Sequence, residues 1–208
     1  MPLPKKYAPP LTPVIATYNY VDVAEGTGIT TFNACTTNVA GTEKYFITTA
    51  EPYSNTIETN LGALGAGVTA DKDFDTGELN LPIIVKGTAT VNVTSALIDG
   101  GSYFLYAKLR KWDGTSETEI AQGSGSILAT DGNLRRTILL KISDIPPTLI
   151  TIGEQIRLTV GAQGVTAGGT AWIAHDPQNR DGTTFVPSTT PAITNKLIAN
   201  IPFQIKTA

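Results

Sequence analysis

The chain has 208 residues, a formal net charge of -3 and only 16% charged residues, so it carries no basic footprint for wrapping a duplex nucleic acid. A single cysteine, Cys35, and a single histidine, His175, exclude an intrachain disulfide framework and leave too few nitrogen and sulfur ligands for an ordinary zinc site. Abundant threonine with 20 glycines and 13 prolines describes β-rich segments separated by turns, in a length that suits one domain.

Residues 1–13 hold prolines at positions 2, 4, 9, 10 and 13. They predict an extended, polyproline-like arm, which either frays as a free terminus or docks on a neighbouring subunit. The same prolines interrupt any apolar stretch of signal-peptide type. The expectation is synthesis in a cytoplasm without export by the general secretory route. No run of 18 apolar residues is present, so no transmembrane helix is expected.

Strands are predicted from Val14 onward. VIATYNYVDV is β-branched and aromatic, Glu25 to Gly28 reads as a turn, and ITTFNACTT and EKYFITTA follow as strands. LGALGAGVTA, Leu61 to Ala70, predicts a loop or a short helical turn. Ile83 to Ile98 predicts one long bent strand with Gly87 as a bulge. SYFLYAKLRKW alternates Leu105, Ala107 and Leu109 with Tyr106, Lys108 and Arg110, the period of two of a strand. Asp113-Gly114 turns the chain and TEIAQGS returns antiparallel.

RRTILLKI, Arg135 to Ile142, predicts a strand. SDIPPTLITIGE is expected to be a loop because Pro146-Pro147 resist ladder pairing. EQIRLTVGAQG points Ile156, Leu158 and Val160 inward. GAQGVTAGGT is expected as a hairpin loop, GGTAWIAHD as a strand, and LIANIPFQIK as the terminal strand. Nine or ten strands with no helical period predict an all-β fold. The expected form is an antiparallel β-sandwich of jelly-roll type, with residues 1–13 as the arm and 14–208 as a single domain.

The segment TAWIAHDPQNRDG, Thr170 to Gly182, gathers the chemical candidates: His175, Asp176, Asn179, Arg180 and Asp181. A triad needs a base that activates a nucleophile. His175 has no Gly-x-Ser-x-Gly context, and Cys35 sits in a threonine-rich strand. His175 is therefore expected to be a hydrogen-bonded residue at a strand end. Asp176, Asn179 and Asp181 offer oxygens for calcium, as do Asp71, Asp73 and Asp75. An EF-type loop wants Gly sixth and an acid twelfth, where Thr76 and Pro82 stand. The Asn92-Val93-Thr94 sequon falls in mid-strand. Tyr103, Phe104, Tyr106 and Trp112 form an aromatic hairpin that packs on the core or on a partner, or alternatively binds sugars. No catalytic, cofactor-binding or metal residue is assigned.

ATYNYVDVAEGTGITTFNA, GEQIRLTVGAQG with GGTAWIAHDPQNRD, and the terminal ANIPFQIK together resemble small virion structural proteins of tailed bacteriophages. The resemblance implies a non-enzymatic β-sandwich, either a capsid decoration (cement) protein or a minor capsid protein. It implies contacts with the major capsid protein or other virion proteins, a homo-oligomer with a trimer favoured, and residence in the virion after synthesis in the host cytoplasm. No nucleic-acid or membrane partner and no cofactor are expected. The alternative is a receptor- or carbohydrate-binding module of a tail or head fibre.

Overall fold

The computed structural model describes residues 27–129, 135–187 and 193–204. The expected arm and the strand predicted over residues 14–23 lie outside the described residues. Within them the fold is all-β and almost entirely antiparallel. Twelve strands are present: β1 (Thr27–Val39), β2 (Thr42–Thr48), β3 (Glu58–Ala63), β4 (Thr69–Asp75), β5 (Ile83–Ile98), β6 (Ser102–Trp112), β7 (Glu117–Ser124), β8 (Leu128–Ala129), β9 (Arg135–Ile150), β10 (Gln155–Thr166), β11 (Thr170–Ala174) and β12 (Ile198–Gln204).

The hydrogen-bonded order is β3-β11-β5-β12-β1-β2-β4-β10-β6-β7, with β9 on β5 and β8 on β6. β1 is the corner. Its first half pairs with β12 and its second half with β2. One parallel bridge, Phe46 to Asp75, then joins β2 to β4. The path thus makes two layers of a sandwich. Val85, Val91, Val93, Leu140, Ile142 and Ile201 from one layer meet Phe74, Leu105, Leu109, Leu158 and Val160 from the other in one core. Alternation along each strand supplies both inner faces. The free ends of the layers also approach. A Cβ on Gly123 of β7 would fall 2.0 Å from the Lys141 carbonyl oxygen of β9, so only glycine fits there.

β5 spans the predicted limits, and its pairing with β9 slips on both sides of Gly87, whose φ is +117°. β9 corrects the expectation of a loop at Ser143 to Glu154 as far as Ile150, because it runs unbroken through Pro146 and Pro147, and Thr151 to Glu154 alone form the expected turn. The prolines face the slip between Val85 and Gly87, where their missing N–H groups remove no ladder bond. β1 begins at Thr27, so half of the expected Glu25 to Gly28 turn is strand. Leu61 to Ala70 is likewise strand at both ends. GAQGVTAGGT is not a hairpin loop. β10 pairs with β4 and β6, whereas β11 pairs with β3 and β5, so the turn between them crosses from one layer to the other.

Candidate functional site

β11 sets the position of His175. Ala171, Ile173 and His175 follow the strand's rhythm and are all buried, His175 at 0% exposure. Its backbone N–H donates to Ile57 O at 2.9 Å. The imidazole meets the rings of Tyr45 and Phe74 edge-on, each at 5.8 Å between centroids. Its Nε2 lies 2.7 Å from Thr59 Oγ1.

That bond is one link in a directed chain. Tyr45 Oη donates to Glu43 Oε2 at 2.8 Å, and Thr59 Oγ1 donates to Tyr45 Oη at 3.2 Å. The Thr59 hydrogen is thereby committed, so His175 Nε2 must be the donor to Thr59 Oγ1. The other ring nitrogen, Nδ1, carries the bare lone pair and has no hydrogen-bond partner among the described residues. Burial pulls the imidazole down to about 4, against weaker upward contributions from its own backbone and nearby carboxylates. At neutral pH His175 is an uncharged ring between two aromatic side chains. A general base must reach the proton that it removes, and among the described residues this ring bonds only to Thr59.

The loop after His175 is tied down by its own polar residues. Buried Asp176 accepts from Arg180 N at 2.6 Å, Arg180 Nε at 3.0 Å, Arg180 Nη2 at 3.1 Å and Gln178 N at 3.2 Å. The Arg180 guanidinium also donates to Ser54 O at 2.6 Å and covers the Tyr53 ring at 3.9 Å. Asn179 takes a φ of +54° and accepts from Asn195 N at 2.7 Å. Asn195 Nδ2 in turn donates to Arg180 O at 2.6 Å. Glu58 of β3 accepts from the backbone N–H groups of Thr184 and Phe185 and from the Thr183 hydroxyl. His175, Asp176 and Asn179 therefore act as loop anchors, and Asp181 stays exposed at the surface.

The remaining candidates are scattered. Cys35 is buried, burial pushes its thiol up to about 12, and its Sγ lies 3.7 Å from Phe46 O. Asp71, Asp73 and Asp75 do share one face of β4, as their alternation implies. Tyr106 Oη donates to Asp71 at 2.8 Å and Thr159 Oγ1 donates to Asp73 at 2.5 Å. Arg157 grips Asp75 with two bonds, at 2.7 and 2.8 Å. Among the described residues, no group of three His, Cys, Asp or Glu side chains is placed to hold a metal ion.

The aromatic hairpin divides. Tyr103 turns inward to Ser95 at 2.6 Å. Arg157 covers the Trp112 ring at 3.9 Å. Only Phe104 and Tyr106 reach an open groove of about 550 Å³, shared with Thr69, Asp71, Lys108, Gln122, Ser124 and Gln163. Sequence reasoning missed this grouping because it depends on registers across four strands. The available signal was the polar row of β6 together with the small residue Gly161 in β10.

No family model matches the chain, and no curated protein matches it. Among solved structures, an α-amino acid ester hydrolase aligns over 64% of this chain and 25% of its own, at 12% identity and TM-score 0.39. A CocE/NonD family hydrolase from Staphylococcus aureus aligns over 83% of this chain and 41% of its own, at 13% identity and TM-score 0.40. The infectious bursal disease virus Gx strain structure aligns over 88% and 37%, at 11% identity and TM-score 0.29. The chain thus spans less than half the length of these structures, and likeness at this level carries no functional argument.

Proposed function

We propose that this protein is a non-enzymatic structural subunit of a tailed-phage virion. Its role is that of a capsid decoration (cement) or minor capsid protein built on a jelly-roll-type sandwich. The observation that carries the reading is an apolar end on the sandwich. Leu81, Ile152 and Leu149 are 72%, 65% and 52% exposed. Pro82, Ile83, Ile84, Leu149, Phe203 and Gln204 line a groove of about 410 Å³. Large exposed apolar surface marks contact with another protein, and burying one such side chain contributes about 1.5–3 kcal/mol. The partner is the major capsid protein or another virion protein, and homo-oligomers, with a trimer favoured, are the expected unit.

Adding the purified protein to particles that lack it tests the reading. Leu149→Asp should lower particle occupancy at least tenfold while leaving the isolated domain folded. Equal occupancy of wild type and Leu149→Asp would remove the carrying observation. Absence of the chain from wild-type particles purified from infected cells would overturn the proposal itself.

A further inference from the structure

We infer that the outer face of β4, β10, β6 and β7 carries a binding groove for a neutral saccharide. The strand registers build it row by row. Thr69, Gln163 and Phe104 lie abreast in one row; Asp71, Gly161, Tyr106 and Ser124 form the next; Lys108 and Gln122 form the third. Gly161 makes the floor. A Cβ there would fall 2.6 Å from both Asp71 Cβ and the Tyr106 ring. The missing side chain lets the Tyr106 ring reach across β10 and donate its hydroxyl hydrogen to Asp71 Oδ2 at 2.8 Å. Asp71 is thereby oriented with its other oxygen free to accept.

The lining matches a polyol with one apolar face. The half-buried ring of Phe104 offers an apolar wall. Two amides, Gln122 and Gln163, and the Ser124 hydroxyl line the same groove, and their side chains bond to nothing among the described residues. An amide both donates and accepts, which suits vicinal hydroxyls. Asp71 and Lys108 place one charge of each sign on the lining, and Lys108 is paired with Glu119 at 3.2 Å, so no unpaired cation faces an anionic ligand. Its volume lies in the range of small-ligand sites, and its polar lining disfavours a wholly apolar ligand. Trp112 contributes nothing, because Arg157 covers its ring.

The inference is independent of the virion reading and is tested on the full chain. A glycan array of neutral, sialylated and sulfated oligosaccharides is probed first, and the strongest neutral oligosaccharide is then titrated by calorimetry. Binding of a neutral oligosaccharide is expected. Phe104→Ala, Gln163→Ala and Asp71→Asn should each weaken it about tenfold, one or two hydrogen bonds or a stacking contact apiece. Trp112→Ala should leave it unchanged. Gln122 is exposed and Gln163 partly exposed, and neither amide bonds to another described residue, so their variants stay folded where Phe104→Ala fails to. Three results would overturn the inference: no neutral glycan bound, undiminished binding by Gln163→Ala and Phe104→Ala, or binding confined to sialylated and sulfated glycans and lost with salt. Particle occupancy of the Gln163→Ala protein stays at the wild-type level in every case, which separates this test from that of the virion role.

Discussion

The same bond occurs twice in this sandwich, with opposite surroundings. Tyr45 donates to Glu43 at 2.8 Å, and Tyr106 donates to Asp71 at 2.8 Å. Burial raises the pKa of both phenols, helped by the adjoining carboxylate, so both keep their hydrogen across the physiological range. Beyond Tyr45 the chain continues inward through Thr59 to His175, and among the described residues the Nδ1 lone pair is its only loose end. Beyond Tyr106 lies an open groove whose amides have no partner among the described residues. A polar cluster that satisfies itself under burial holds the fold together. A polar cluster that stays open and unsatisfied is free to bind.

The largest effect should come from breaking the closed end at its charge. Asp176→Ala leaves two loop N–H groups without their acceptor and the Arg180 guanidinium with only Ser54 O. The expected loss is about 4 kcal/mol in urea unfolding, because several hydrogen bonds to one buried carboxylate, each contributing about 1.5–3 kcal/mol, are lost while the Arg180 charge left behind stays partly solvated.

Acid should attack the same end. The imidazole of His175 falls to about 4 from an ordinary value of 6.5. A depressed histidine stays neutral in the folded state while the unfolded chain takes up a proton. Its contribution is fully present above about pH 6.5 and declines as pH falls toward about 4, by roughly 3 kcal/mol in all. Glu43 acts in the same direction. Burial pushes its pKa up, but hydrogen bonds from Thr56, Tyr45 and Asn55 together outweigh that, and the net shift is downward. Its contribution is therefore lost as pH falls through its lowered value. Urea unfolding measured at pH 7 and pH 4.5 should show the loss, and His175→Gln should remove most of the slope. A wild-type slope retained by His175→Gln would place the titration elsewhere.

A smaller cost follows from cutting the chain in the middle. Thr59→Val keeps the shape but removes the acceptor for His175 Nε2 and the donor to Tyr45. About 1–2 kcal/mol is expected.

How much of this contrast the sequence displayed depended on distance along the chain. The alternation of Ala171, Ile173 and His175 placed the histidine on a strand, and Pro177 and Asp181-Gly182 marked the turn after it. Those are local signals, as are Gly87 in the bent β5 and the Asp113-Gly114 turn, where Asp113 Oδ1 accepts from Thr115 N and Ser116 N. The rest was set by pairing between distant strands. Pro146 and Pro147 read as a break because nothing local reveals that they meet a slip in β5. β3 was missed because ETNLGA has little β-branched content, and its pairing with β11 holds it. Thr59 and Tyr45 lie far from His175 in sequence and meet it only in the core. Gln163 and Phe104 likewise become neighbours only through the β10–β6 register.

The smallest predicted effect is the most discriminating between the two regions. Gln163→Ala and Gln122→Ala remove amides that hold nothing else in the described structure, so each should change stability by less than about 0.5 kcal/mol. Thr59→Val, which removes fewer polar atoms, should cost more because its hydroxyl is enclosed and twice bonded. Paired unfolding curves for the three variants compare the regions directly. If Gln163→Ala cost as much as Thr59→Val, its amide would belong to the architecture of β10, and the groove would lose the free hydrogen-bonding groups that distinguish it from the His175 end.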